Sequence, residues 1–208
     1  MKQRIYLSVD LDYWCAGLAL WSGAIRTMQK LIKLGKPIIM VADHGTMIEH
    51  INSHPADCLI NVDAHSDIWG YDSVRRIGNS VDCSNWVNAV SWQKGKEYIW
   101  FHPHKTGVWD EGFCHGEDPN PFRKKNRPKY AWKEAHYQRG FPTQKQIDAA
   151  IAVGIAISED WLDNADQVEA AIRFALKHNI KLPDLYNLGR YEQNLNQKLL
   201  EKAKEKLS

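Results

Sequence analysis

The chain lacks any apolar run long enough to cross a bilayer, so no membrane partner is expected from its 208 residues. It lacks an excess of one charge as well. Lysine and arginine number 27 against 25 aspartates and glutamates, and no whole-molecule field argues for nucleic acid. It lacks a CxxC pair: Cys15, Cys58, Cys83 and Cys114 are scattered and read as reduced thiols of a cytoplasmic protein. No charged-then-apolar leader precedes the first strand pattern, so no secretory signal is expected. There is no internal repeat and no linker, which predicts one domain over 1–208. What is present suits a globular fold with a full core, at 44% hydrophobic and 25% charged residues. The nine tryptophans are many for this length; most read as packing residues, with some left for a recognition surface.

The pattern turns on Asn61-Val62-Asp63-Ala64-His65-Ser66-Asp67, which follows the apolar Cys58-Leu59-Ile60 and so reads as the carboxyl end of a buried strand. Alternate strand positions project the same way, so Asp63, His65 and Asp67 are expected to point together from extended chain. Two other strands end similarly. Arg4 to Val9 leads to Asp10 and Asp12, and Ile38 to Val41 leads to His44 with Gly45 to turn the chain away. Further strands are expected at Glu97–Phe101, ending at His102, and at Ile151–Ile157. Helices are expected at Ala16–Leu34 (stopped by Gly35 and Pro37), Thr46–Ser53, from Ser84 to about Trp92, after Asp163 or Asn164, and over Tyr191–Leu207. Strands alternating with helices predict a three-layer α/β/α sandwich with a mainly parallel sheet, in which ligands bind at the carboxyl ends of the strands. Residues 105–143 show no periodicity and read as an irregular loop or lid, with a basic run at Arg123, Lys124, Lys125, Arg127 and Lys129.

Asp10, Asp12, Asp63 and Asp67 would bring four negative charges to one sheet edge, where repulsion raises carboxyl pKa values unless cations intervene. Two divalent cations would cancel that charge, with His44 and His65 as neutral ligands. The carboxylate-rich set suits Mn²⁺, with Zn²⁺, Co²⁺ and Fe²⁺ as alternatives. A metal pair acidifies a shared water and makes it a nucleophile for an electrophilic carbon.

Asp63-Ala64-His65-Ser66-Asp67 resembles the DAHxD motif of the arginase and agmatinase superfamily. Asp43-His44 resembles the end of its GGDH motif, and Asp10-Leu11-Asp12 the start of its DxDxxDP motif. The resemblance implies an arginase-like sandwich holding two Mn²⁺ ions: one on Asp10, His44, Asp63 and Asp67, the other on Asp10, Asp12, Asp63 and His65. Departures are plain. The DxD strand leads the chain instead of following DAHxD, as in a circular permutation; Val41-Ala42 replaces the paired glycines; no Asp-Pro follows Asp12. The compact, permuted order, with the later Ile155-Ala156-Ile157-Ser158-Glu159-Asp160, is most similar to the peptide arginases. Those convert arginine side chains of ribosomally made precursor peptides to ornithine and urea, which implies a precursor peptide as partner.

A guanidinium substrate needs an anion, and a carboxylate grips it with paired hydrogen bonds. Glu159 is the first candidate and Asp160 the second; Glu159 reads equally as a flank of the following helix. Asn79 is a candidate to orient substrate, and ordinary turn chemistry explains it as well. Asp67 is the candidate proton relay, with His102 or His104 as shuttle. Two other readings stand beside this one: a deacetylase-like amidohydrolase with a single zinc, and a non-catalytic, metal-stabilised module docking a peptide through its basic loop. The oligomeric state is not legible in the sequence.

Overall fold

Burial decides where the strands lie. In the computed structural model, which describes residues 3–14, 21–68, 81, 85–102, 132–158, 165–183 and 193–206, every residue of Ile5–Asp10 (β1) and Cys58–Val62 (β3) is buried. Such runs are apolar on both faces because both faces are covered. The other strands are Ile38–Val41 (β2), Glu97–His102 (β4), Glu134–Arg139 (β5) and Ala150–Ala156 (β6). They form one six-stranded sheet in the order β2-β6-β1-β3-β4-β5, and every pairing is parallel. After β1 the chain goes to β2 on one side and then crosses to β3 on the other. The order therefore reverses at β1, and a crevice opens beyond the carboxyl ends of β1 and β3 at such a switch point.

Alternation sorts the side chains into two cores. Leu7, Val9, Ile60, Val153 and Ile155 face Ala24, Met28 and Leu31 of helix α1 (Trp21–Ile32), and Val168, Ala171 and Ile172 of a later helix, Ala165–Lys177. Tyr6, Val41, Leu59, Tyr98 and Trp100 face the opposite way, against Met47, Ile51, Trp86 and Val90. Helices thus cover both faces of a parallel sheet, and the expected α/β architecture holds at that level. Gly154 is needed here, because a Cβ would sit 2.7 Å from the hydroxyl of buried Tyr6. No described helix is long and apolar enough to cross a membrane.

Several boundaries differ from the sequence reading. α1 ends at Ile32 rather than Leu34: Gly35, at φ +61°, donates its N–H to the carbonyl of Ile32 and closes the helix. The expected helix over 46–53 is a 3₁₀ turn, His44–Met47, followed by α2 (Ile48–Ser53). The helix expected from Ser84 to Trp92 is instead a single 3₁₀ turn at Trp86–Ala89. Most important, 105–143 is not irregular throughout. It contains β5, an edge strand whose inward positions are only half-buried, so Glu134-Ala135-His136-Tyr137-Gln138-Arg139 carries no apolar run to betray it. Residues 103–131 lie outside the described residues. Helix α3 (Gln144–Asp148) was also missed, although Thr143 and Gln146 form a reciprocal capping box. The helix Ala165–Lys177 is α4, and Gln193–Glu205 is α5. These two are clamped by buried Glu169, which pairs with Lys202 and Lys206, each at 2.7 Å.

Candidate metal centre

Three strand ends carry the site. Asp10 closes β1 and Asp12 follows in a 3₁₀ turn, Leu11–Trp14; His44 opens the turn after β2; Asp63, His65 and Asp67 follow β3. Extended alternation was expected to aim these groups, and it does not. The chain turns at each strand end, and aspartates fold it by accepting from the backbone two residues on. Asp10 Oδ1 accepts from the N–H of Asp12 at 2.9 Å, and Asp63 Oδ1 from the N–H of His65 at 2.7 Å. Asp67 then takes φ +50°, a left-handed conformation that aspartate tolerates at a cost of about 1 kcal/mol.

The result is two adjoining groups of candidate ligands. Asp10, His44 and Asp63 present donor atoms within 4.8 Å of one another, as do Asp12, Asp63 and His65. Asp63 belongs to both. His44 Nδ1 lies 3.1 Å from Asp10 Oδ2, 3.2 Å from Asp67 Oδ2 and 3.5 Å from Asp63 Oδ2, which places Asp67 beside the first group. His65 Nδ1 lies 3.0 Å from Asp12 Oδ2 and 3.6 Å from Asp63 Oδ1. All six residues named from the sequence as ligands therefore meet in one cluster. Asp10, Asp12, His44, Asp63 and Asp67 are buried, and His65 alone is partly open, at 26% side-chain exposure.

Such a cluster is unstable as four bare carboxylates. A like-charged pair about 4 Å apart costs on the order of 4 kcal/mol at an effective dielectric of about 20. Burial and the Asp67 and Asp10 charges push Asp63 up to about 8. Burial, with Asp10 and Asp63, pushes Asp12 well above the usual carboxylate range. Burial works against charged imidazoles, yet the surrounding carboxylates overcome it: His44 is raised well above its ordinary value and His65 to about 12. For Asp10, burial acts upward, but His44, Ser158 and the Asp12 N–H prevail and hold it below its usual value. The cluster thus holds protons where cations would relieve the same strain, and its oxygen-rich donor set with two imidazoles fits divalent metals.

Partners outside the ligand set orient it. Ser8, two residues before Asp10 on the same strand face, meets His44 Nε2 at 3.0 Å, which leaves Nδ1 aimed at the carboxylates. Trp86 donates its indole N–H to Asp67 Oδ2 at 2.6 Å and stacks on His44, with ring centroids 4.8 Å apart. Trp100 donates to the carbonyl of Asp63 at 2.9 Å, and Asn61 to Asp63 Oδ2 at 3.0 Å. Two of the tryptophans read as packing residues therefore also fix the ligands. The Ser8 contact has a sequence signal in strand alternation; the Trp86 contact, from a distant turn, has none.

Other candidates fare differently. His102 is buried at the end of β4 between Trp100 and Tyr137, with ring centroids at 5.2 and 6.1 Å, and it belongs to neither ligand group. Its expected role as a shuttle gains nothing from that placement. Asn79, His104, Glu159, Asp160 and the basic run 123–129 lie outside the described residues. No family model, curated protein or solved structure matches the chain.

Proposed function

We propose that the chain is a binuclear-metal amidinohydrolase that converts arginine residues of a precursor peptide to ornithine and urea. The observation that supports the metal part is Asp63 standing in both candidate ligand groups, where one carboxylate could serve two neighbouring cations. The substrate part rests on the motif resemblance to the peptide arginases, and an arginase-like sandwich with permuted motif order belongs to the same proposal. Two Mn²⁺ ions, when bound, would acidify a water and offset the charge of the buried acids.

The chain's own residues have distinct tasks. Asp10, His44, Asp63 and Asp67 hold the first cation position, and Asp12, Asp63 and His65 the second. Trp86 and Ser8 lock Asp67 and His44 from behind. Water adds its oxygen to the guanidinium carbon, the bond from that carbon to the side-chain nitrogen breaks, and urea leaves. Both hydrogens of the water finish on the ornithine amine, one as the bond to carbon breaks and one as the released amine takes up its second proton. Asp67, beside the first position, is the proposed carrier of the first, and solvent supplies the second in exchange for the proton the water leaves behind. Glu159 is the proposed grip on the guanidinium, through paired charge-assisted hydrogen bonds.

Incubation of the Mn²⁺-loaded protein with an arginine-containing precursor peptide tests this reading by mass spectrometry. Each conversion removes CN₂H₂ from the peptide and releases one urea. Peptides that keep their full mass, with no urea formed, would count against the amidinohydrolase. One tightly bound Zn²⁺ per chain would instead favour the deacetylase-like reading.

A further inference from the structure

Ser158 stands two residues beyond β6 in a backbone conformation that serine seldom adopts, φ +50°. It is buried, at 9% exposure. Glycine would fill such a left-handed position without strain; serine pays about 1 kcal/mol for its Cβ there. Its hydroxyl has a specific partner. Ser158 Oγ donates to Asp10 Oδ2, the same oxygen that faces His44 Nδ1. Its backbone N–H donates to the carbonyl of Ala42 at 2.9 Å, and the preceding N–H, from Ile157, to that of Val41 at 2.9 Å. The β2–β6 ladder thus continues past both strands, up to the residue before Asp43-His44. One residue ties the ends of β1, β2 and β6 together where the first ligand group converges.

We propose that Ser158 is a positioning residue of the metal centre, whose hydroxyl sets the Asp10 carboxylate for the first cation position. The proposal rests on the metal reading above and adds a residue to it. A carboxylate that shares a metal and accepts from a neighbour is held in one rotamer, and loss of such a neighbour weakens metal affinity by about 10–100-fold. At that left-handed position the hydroxyl reaches Asp10 Oδ2, a contact that glycine there would lack.

Two variants separate the hydroxyl from the backbone. Ser158→Ala removes the hydroxyl and keeps the strain; Ser158→Gly removes both. Mn²⁺ titration by calorimetry, with electron paramagnetic resonance of the loaded proteins, reads the outcome. Wild type is expected to bind two Mn²⁺ ions and to show the signal of a coupled pair. Both variants should bind at the first position about 10–100-fold more weakly, and at equimolar Mn²⁺ show an isolated ion. In the metal-free state Ser158→Gly should melt no lower than Ser158→Ala. A Gly variant that binds like wild type would overturn the proposal, since the hydroxyl would then be dispensable; so would an Ala variant with unchanged affinity. If wild type itself binds no Mn²⁺, the metal reading falls and this proposal with it, a result distinct from either variant outcome.

Discussion

Asp63→Asn is expected to abolish tight binding at both cation positions, a loss of at least about 100-fold in Mn²⁺ affinity. No other candidate ligand should have this effect: the family resemblance implies Asp10 in both sets as well, but among the described residues Asp63 is the one shared by both groups, and Asp10 falls in the first alone. Asn keeps the shape of Asp63 and one oxygen to accept from Asn61 or from the N–H of His65, now at 3.0 and 2.7 Å. It replaces an acid whose charged form burial, Asp67 and Asp10 already disfavour. The metal-free variant should therefore melt at or above the metal-free wild type, although a buried, hydrogen-bonded residue has been changed. Added Mn²⁺ should then stabilise wild type alone; at a hundredfold excess over Kd the difference is about 2.7 kcal/mol per site. Thermal melts with and without Mn²⁺ measure both parts. A variant that is much less stable without metal would mean that Asp63 serves folding before it serves metal.

The second large effect is a reversal of pH dependence on metal loading. Asp63, buried among other carboxylates, releases its proton at about 8 in the folded protein, against 3.8 ordinarily. His65, buried but flanked by Asp12 and Asp63, holds its proton to about 12, against 6.5. Asp12 and His44 are raised too. A raised group contributes its full stability below the unfolded pKa and loses it as pH climbs through the folded one. For Asp63 that loss runs from about pH 4 to about pH 8, and for His65 from about pH 6.5 upward, at about 1.4 kcal/mol per pH unit for each proton held. Asp10, held low, acts in the opposite sense, with stability lost as pH falls through its folded value. The raised groups outnumber it, so metal-free protein should melt lower at about pH 8 than at about pH 6. Cations must displace these protons, so Mn²⁺ affinity rises with pH and the loaded protein should show the opposite slope. Parallel slopes for the two forms would contradict the account.

Much of this was legible in the sequence for a physical reason. Strands buried on both faces, such as Tyr6-Leu7-Ser8-Val9 and Leu59-Ile60-Asn61-Val62, must be nearly continuous in apolar residues, and acids just beyond them stand out. That was enough to single out six candidate ligands and to place them at one sheet edge. The means of convergence was not legible. It depends on aspartates folding their own backbone at 10–12 and 63–65, and on left-handed turns at Asp67 and Ser158, none of which leaves a periodic trace. β5 escaped because an edge strand with one half-covered face carries little hydrophobic signal. Trp86 escaped because its partner, Asp67, is brought to it only by the folded chain. The clasp of Glu169 with Lys202 and Lys206 likewise joins two helices whose pairing no local pattern announces.

Anomalous diffraction at the manganese edge, from crystals of the Mn²⁺-loaded protein, addresses the central claim most directly. Two peaks are expected on either side of Asp63, one contacted by Asp10 and His44 and the other by Asp12 and His65. A single peak, or none within reach of Asp63, would contradict it.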